Sequence, residues 1–301
     1  MREALHECST LLANAPHLAQ PLARTAATKG ALPVNYCAAT SLIHKSGKVA
    51  GVHVKDAETG KAYYINAEAV INATGLWVNQ FHMEDGQALG RDVKAVVAPS
   101  QGVHVVVDRI FCPAITPCWS PKPLTAGFCL PCRGPCKTIL DTTDTPRRDV
   151  AREPLAFREE VDLILNELAW YSTEAPGFAD VKSIWVGLRA LVKPADDEGG
   201  AFKSTKSLSR EHTILVSQSE LVTVTGGKWT CYRAMAEGVL DSCFKADLLH
   251  NRPGGVSDNL ELVGAQQEKK PSATNPASIS MAARLRLYWR CPVLKMNWAA
   301  A

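Results

Sequence analysis

Apolar residues recur at two spacings along the chain, and the change from one to the other marks its elements. Leu5, Cys8, Leu11 and Leu12 follow a helical period over Glu3–Ala13, before Pro16 and Pro21 interrupt it. Arg24–Lys29 reads as a short helix closed by Gly30. The period then shortens. Val34–Ile43, Val49–Lys55, Ala62–Ile65 and Ala69–Asn72 are runs rich in β-branched or aromatic residues, separated by the turn signals Lys45-Ser46-Gly47 and Glu58-Thr59-Gly60. They predict a β-meander leading into a buried strand. That strand stops at Thr74-Gly75 and enters a helix predicted over Leu76–Phe81.

Further on, Val93–Val107 predicts paired strands around a Pro99–Gly102 turn, and Thr138–Leu140 a short strand. Arg158–Trp170 predicts an amphipathic helix with Val161, Ile164, Leu165 and Leu168 on one face. Val181–Leu191, Thr213–Ser217 and Leu221–Thr225 read as strands, after which Gly226-Gly227 opens a helix over Thr230–Phe244. Gln266–Ser280 is polar with two prolines, and Met281–Trp298 has no clean period, so 266–301 reads as a linker and a weakly structured end.

Composition narrows the class. The 301 residues are 46% apolar, enough for one large or two ordinary domains. Apolar stretches such as Val103–Val107 fall far short of the ~20 residues of a membrane helix. The start, Met1-Arg2-Glu3-Ala4-Leu5-His6-Glu7, mixes charges where a signal peptide needs an apolar core, so secretion is not expected. Net charge is +3, but residues 266–301 carry six Lys or Arg against Glu268, which leaves the remaining 265 residues at −2. Such a body lacks an electrostatic footprint for nucleic acid. Ten cysteines without a secretory signal point to reduced thiols in a cytoplasmic setting. Cys112, Cys118, Cys129, Cys132 and Cys136 crowd together, yet no second CxxC or HxxxH completes a four-ligand site. Small buried thiols and an incomplete metal site are the two readings, and no metal is expected.

Four polar residues are candidates for chemistry. His104 lies inside a predicted strand, where a surface or satisfied core histidine is the ordinary reading and a functional one the alternative. Arg189 ends the Ile184–Leu188 run, directed to a pocket or held in a salt bridge. Arg210 is a further cation. Lys228 follows the glycine pair at a helix start, where the helix dipole disfavours a cation unless a bound anion or solvent offsets it.

Taken in order, six segments resemble the FAD-dependent glycerol-3-phosphate dehydrogenases. They are Asn72–Val78, Ser100–Val106, Thr142-Thr143-Asp144, Trp185–Arg189, Ser209-Arg210 and Gly226–Arg233, and the likeness extends over residues 24–245. The resemblance implies an α/β (α+β) fold: a partial Rossmann-like FAD-binding domain of the D-amino-acid-oxidase-like type and an antiparallel-sheet substrate domain. It assigns 24–75 and 221–245 to the flavin domain and 76–220 to the substrate domain, leaving 1–23 as a helical N-terminal piece and 246–301 as linker and tail.

It also implies oxidation of sn-glycerol 3-phosphate to dihydroxyacetone phosphate, with FAD as cofactor and a quinone as electron acceptor. Its site would comprise His104 and Arg189 as catalytic residues and Arg189, Arg210 and Lys228 around the phosphate. Asn72, Ala73, Thr74, Gly75, Gly226, Gly227, Lys228 and Thr230 would lie along the cofactor. A cytoplasmic location, with peripheral contact at the cytoplasmic face of the inner membrane, fits this role. The chain departs from the family in one large respect: no GxGxxG follows a strand anywhere in it. It therefore reads as a truncated or internally deleted member, with a non-catalytic remnant as the alternative.

Overall fold

The computed structural model describes residues 18–111, 118–119, 128–131, 137–140, 143–169, 172, 174–193, 211–255 and 257–265. The predicted helix over Glu3–Ala13, Arg210, Cys112, Cys132, Cys136 and the tail from Gln266 lie outside these residues. In chain order the elements begin with a helix α1 over 18–28. The strands β1 (Cys37–Lys45), β2 (Lys48–Asp56), β3 (Ala62–Asn66) and β4 (Val70–Asn72) follow, then helix α2 (Val78–Ala88) and strand β5 (Val97–Asp108). After them come β6 (Cys118–Trp119), β7 (Phe128–Pro131), β8 (Lys137–Leu140), β9 (Thr145–Pro146) and helix α3 (Arg158–Ala169). The last are β10 (Ser183–Val192), β11 (Thr213–Val216), β12 (Leu221–Thr225) and helix α4 (Tyr232–Lys245).

The chain divides into two compact units. The first draws on the stretches up to Gln101, Thr145–Arg152 and Leu188–Gly264; the second on Gly102–Asp144 and Glu153–Gly187.

In the first unit β1, β2 and β3 form the expected antiparallel meander. β1 starts at Cys37 rather than Val34, because Pro33 has no N–H to donate and Tyr36 takes a left-handed φ of 54°. A second sheet has the order β11-β12-β4, with β11 antiparallel and β4 parallel to β12. The helix expected at Leu76–Phe81 opens with a 3-10 turn, Gly75–Trp77, and continues as α2 to Ala88. Leu42, Val49, Phe81 and Leu221 join meander, α2 and β12 in one apolar cluster, while Val222, Val239 and Cys243 join β12 to α4. Burial pushes the Cys243 thiol pKa up, so it stays protonated.

The expectation of paired strands over Val93–Val107 is corrected: β5 is a single strand of 12 residues, with no turn at Pro99–Gly102. The polar run that reads as a turn is buried. Ser100 and Gln101 pair with Pro146 and Thr145 of β9, the Pro99 carbonyl accepts from Arg147 N–H at 2.9 Å, and Arg147 donates to the Gln101 side chain at 2.8 Å.

The second unit is built on alternation. Val103, Val105 and Val107 of β5 are fully buried against Val161, Ile164, Leu165 and Leu168 of α3, the face expected from the sequence. β8 pairs antiparallel with β5 and with β7, and β7 pairs with β6. The buried Glu160 fastens the start of α3: its carboxylate accepts from Phe157 N–H at 3.0 Å and from the Thr143 hydroxyl at 2.9 Å. The Thr143 hydroxyl oxygen in turn accepts from Val103 N–H at 3.2 Å.

Candidate functional site: two glycine turns at one sheet edge

The register of β4 and β12 pairs Val70 with Leu221, Ile71 with Val222 and Asn72 with Thr223. Both strands run the same way, so their carboxyl ends lie side by side. Each end turns through glycine in the left-handed region, at φ +61° for Gly75 and at +76° and +77° for Gly226 and Gly227. Each turn leads through a short 3-10 segment, Gly75–Trp77 or Trp229–Cys231, into an α-helix. The two turns use their glycines differently. A Cβ on Gly226 would sit 2.5 Å from the Glu211 carbonyl oxygen, and one on Gly227 would sit 2.7 Å from the Met235 sulfur. At Gly75 nothing lies within 4 Å, so the space beside that backbone is open.

The carboxyl ends of parallel strands, followed by helix starts, are where α/β sheets hold anionic and dinucleotide ligands. Neither Thr74 nor Lys228, at the N-cap positions of the two 3-10 segments, makes a side-chain capping hydrogen bond to the segment that follows it. The Thr225 hydroxyl, 3% exposed at the end of β12, has no hydrogen-bond partner among the described residues.

The predicted residues fall into place unevenly. Asn72, Ala73, Thr74, Gly75, Gly226, Gly227, Lys228 and Thr230 all belong to the two turns. Asn72 is buried, and its amide works inside the fold: Nδ2 donates to the Val78 carbonyl at 3.0 Å and Oδ1 accepts from the Thr74 hydroxyl at 2.7 Å. Lys228 is exposed and has no ion pair among the described residues. Arg189, half-buried on β10, belongs to the first unit. His104, half-buried on β5, belongs to the second. Arg210 lies outside the described residues.

Residues 1–233 match the family model described as FAD dependent oxidoreductase (DAO). The chain belongs to that family.

Among curated relatives of this FAD-dependent oxidoreductase, the mitochondrial glycerol-3-phosphate dehydrogenase of Bos taurus is 36% identical over 254 residues, covering 80% of this chain and 32% of the relative. The mitochondrial glycerol-3-phosphate dehydrogenase of Schizosaccharomyces pombe is 37% identical over 236 residues, covering 74% of this chain and 36% of the relative. The chain thus spans about a third of the length of these relatives. A solved glycerol-3-phosphate dehydrogenase from Bacillus halodurans, complexed with FAD, superposes with a TM-score of 0.59 at 30% identity, covering 75% of this chain and 42% of that one. The α/β fold class expected from the sequence holds.

Sequence reasoning missed several polar contacts. Asp85 of α2 is 2% exposed; its Oδ1 lies 3.0 Å from His44 Nε2 and accepts the Ser219 hydroxyl. Arg147 holds Gln101 and makes a bidentate pair with Asp149, whose carboxyl pKa is lowered chiefly by that arginine's hydrogen bonds. The partners within these contacts are up to 134 residues apart, a separation that no periodicity reveals. Among the described residues no group of His, Cys, Asp or Glu is placed to hold a metal ion, and no helix is long and apolar enough to cross a membrane.

Proposed function

We propose that this chain is part of a FAD-dependent glycerol-3-phosphate dehydrogenase, oxidising sn-glycerol 3-phosphate to dihydroxyacetone phosphate, with electrons leaving to a quinone at a membrane surface contacted peripherally. The observation that carries the reading is the alignment of β4 and β12, whose carboxyl ends turn together through Gly75 and through Gly226-Gly227. That edge fits the flavin side of the cofactor: the backbone is open at Gly75, and two helix starts carry no side-chain cap. Bound FAD would supply a two-electron acceptor for the hydride at C2 of the substrate.

The remaining work falls to the chain. Lys228, exposed and without an ion pair among the described residues, would attract the substrate phosphate as a point charge, while the planar guanidinium of Arg189 suits a forked contact. Arg210 would add a third cation. His104 is the candidate base for the C2 hydroxyl proton, and Arg189 would polarise that oxygen. Asn72 would keep the Gly75 turn in shape rather than meet the ligand, since its amide is engaged within the fold.

A second reading, a remnant that no longer holds FAD, is favoured by one observation: the 301 residues contain no GxGxxG to seat the pyrophosphate. One experiment separates the two. The chain is purified, its visible spectrum recorded, and dye reduction assayed with glycerol 3-phosphate and added FAD. Flavin bands with substrate-dependent turnover support the dehydrogenase. Colourless, inactive but folded protein supports the remnant.

A further inference from the structure

We propose that Asp85 is a positioning residue that sets the two glycine turns relative to each other, acting through α2 and the β11–β12 turn rather than touching a ligand. Asp85 is 2% exposed and Ser219 fully buried. The Asp85 Oδ1 accepts the Ser219 hydroxyl and lies 3.0 Å from His44 Nε2 on β1. From this point hydrogen bonds lead toward both turns.

Toward Gly75, α2 itself is the link. Its first residue, Val78, gives its carbonyl to the Asn72 amide at 3.0 Å, and Asn72 also holds Thr74 at 2.7 Å. Asp85 therefore pins the far end of the helix whose near end the turn depends on. Toward Gly226, the link is the tight turn before β12. The Ser219 hydroxyl is 2.8 Å from that of Ser217, which accepts from Leu221 N–H at 3.1 Å, and the Ser219 carbonyl accepts from Val49 N–H at 2.8 Å. Leu221 opens β12, five residues before Gly226. The neighbouring Glu84 accepts Leu42 N–H at 2.8 Å, so α2 is tied to β1 twice. A buried carboxylate that ties α2 to the turn before β12, beside the direct pairing of β4 with β12, has more than a local effect, because losing it leaves buried partners unsatisfied on both.

The inference rests on the flavin reading for what the turns hold, so its test uses no FAD. Hydrogen exchange is followed in the full 301-residue chain for wild type, Asp85→Ala, Ser219→Ala and Asp85→Asn. Asp85→Ala is expected to speed exchange about tenfold at both Gly75–Trp77 and Gly227–Trp229 while β3 is unchanged. Asp85→Asn keeps an oxygen acceptor and is expected to stay within about twofold of wild type. Ser219→Ala, a smaller change, should loosen both turns in the same pattern and decides the matter if Asp85→Ala does not fold. Acceleration spread evenly over the first unit, a response at one turn only, or Asp85→Asn behaving like Asp85→Ala would overturn the proposal. A colourless chain would weaken the flavin reading and leave this exchange pattern standing or falling by itself.

Discussion

The two compact units hold themselves together by different means. In the second, β5 and α3 bury one continuous apolar cluster in which Val103, Val105 and Val107 meet Val161, Ile164 and Leu165. In the first, the apolar contacts are divided among smaller clusters, and side-chain hydrogen bonds to backbone connect them. Asn79 is typical: its side chain accepts from Val96 and Val97 N–H at 2.9 and 3.0 Å and donates to the Val97 carbonyl at 2.9 Å. Apolar packing is non-directional and tolerates small shifts. Hydrogen bonds fix a backbone to a few tenths of an ångström, which suits a region whose candidate role is to present two turns at a set spacing.

The comparison is most easily broken by removing bulk from the second unit. Leu165→Ala should lower stability by about 2 to 4 kcal/mol in urea unfolding, since it leaves a cavity in the largest apolar cluster. A loss below about 1 kcal/mol would mean that this cluster does not carry the unit. Next in size are the glycines of the first unit. Gly226→Ala meets both a positive φ and the Glu211 carbonyl, and should cost upward of about 2 kcal/mol. Gly75→Ala, with open space around it, should cost only about 1 kcal/mol. Equal effects at the two positions would erase the distinction between a glycine required by packing and one required by conformation alone.

Smaller effects come from charge. Burial lowers the pKa of His82 on α2, against a weaker opposing influence of the Asp85 carboxylate. The unfolded chain therefore takes up this proton first. Stability due to His82 is complete above about pH 6.5 and is lost as pH falls from there through the depressed folded value. His82→Gln should flatten that part of the pH profile of the thermal midpoint, and an unchanged slope would contradict it. In the second unit Lys137, and then Lys182, hold the Asp108 carboxyl below its usual range. That contribution is present above about pH 4 and fades in more acid solution; because the group is over a third exposed, Asp108→Asn should cost less than about 1 kcal/mol.

These differences explain what was legible in the sequence. The second unit's core could be read directly, because Val103/Val105/Val107 and Val161/Ile164/Leu165/Leu168 carry the strand and helix periods. β12 and the two glycine turns were legible for a related reason: a run of β-branched residues stopped by glycine before a helix has few other uses. Ser100-Gln101-Gly102 was misread because polarity and glycine suggest a turn, whereas pairing with β9 and the Arg147 side chain satisfies that run inside a strand. Asp85, His44 and Ser219 gave no local sign, since each looks like an ordinary surface residue until the fold joins them.

The central claim is that the edge formed by Gly75 and Gly226-Gly227 is the flavin side of a glycerol-3-phosphate dehydrogenase site. The most direct measurement is the visible spectrum and substrate-dependent dye reduction of this chain fused to a family segment supplying the GxGxxG strand-turn-helix, alongside the same fusion carrying Gly226→Val. The account predicts a yellow fusion with bound FAD and turnover on glycerol 3-phosphate, and a colourless Gly226→Val fusion. A folded fusion that stays colourless and inactive, or one whose FAD content is indifferent to Gly226→Val, would contradict it.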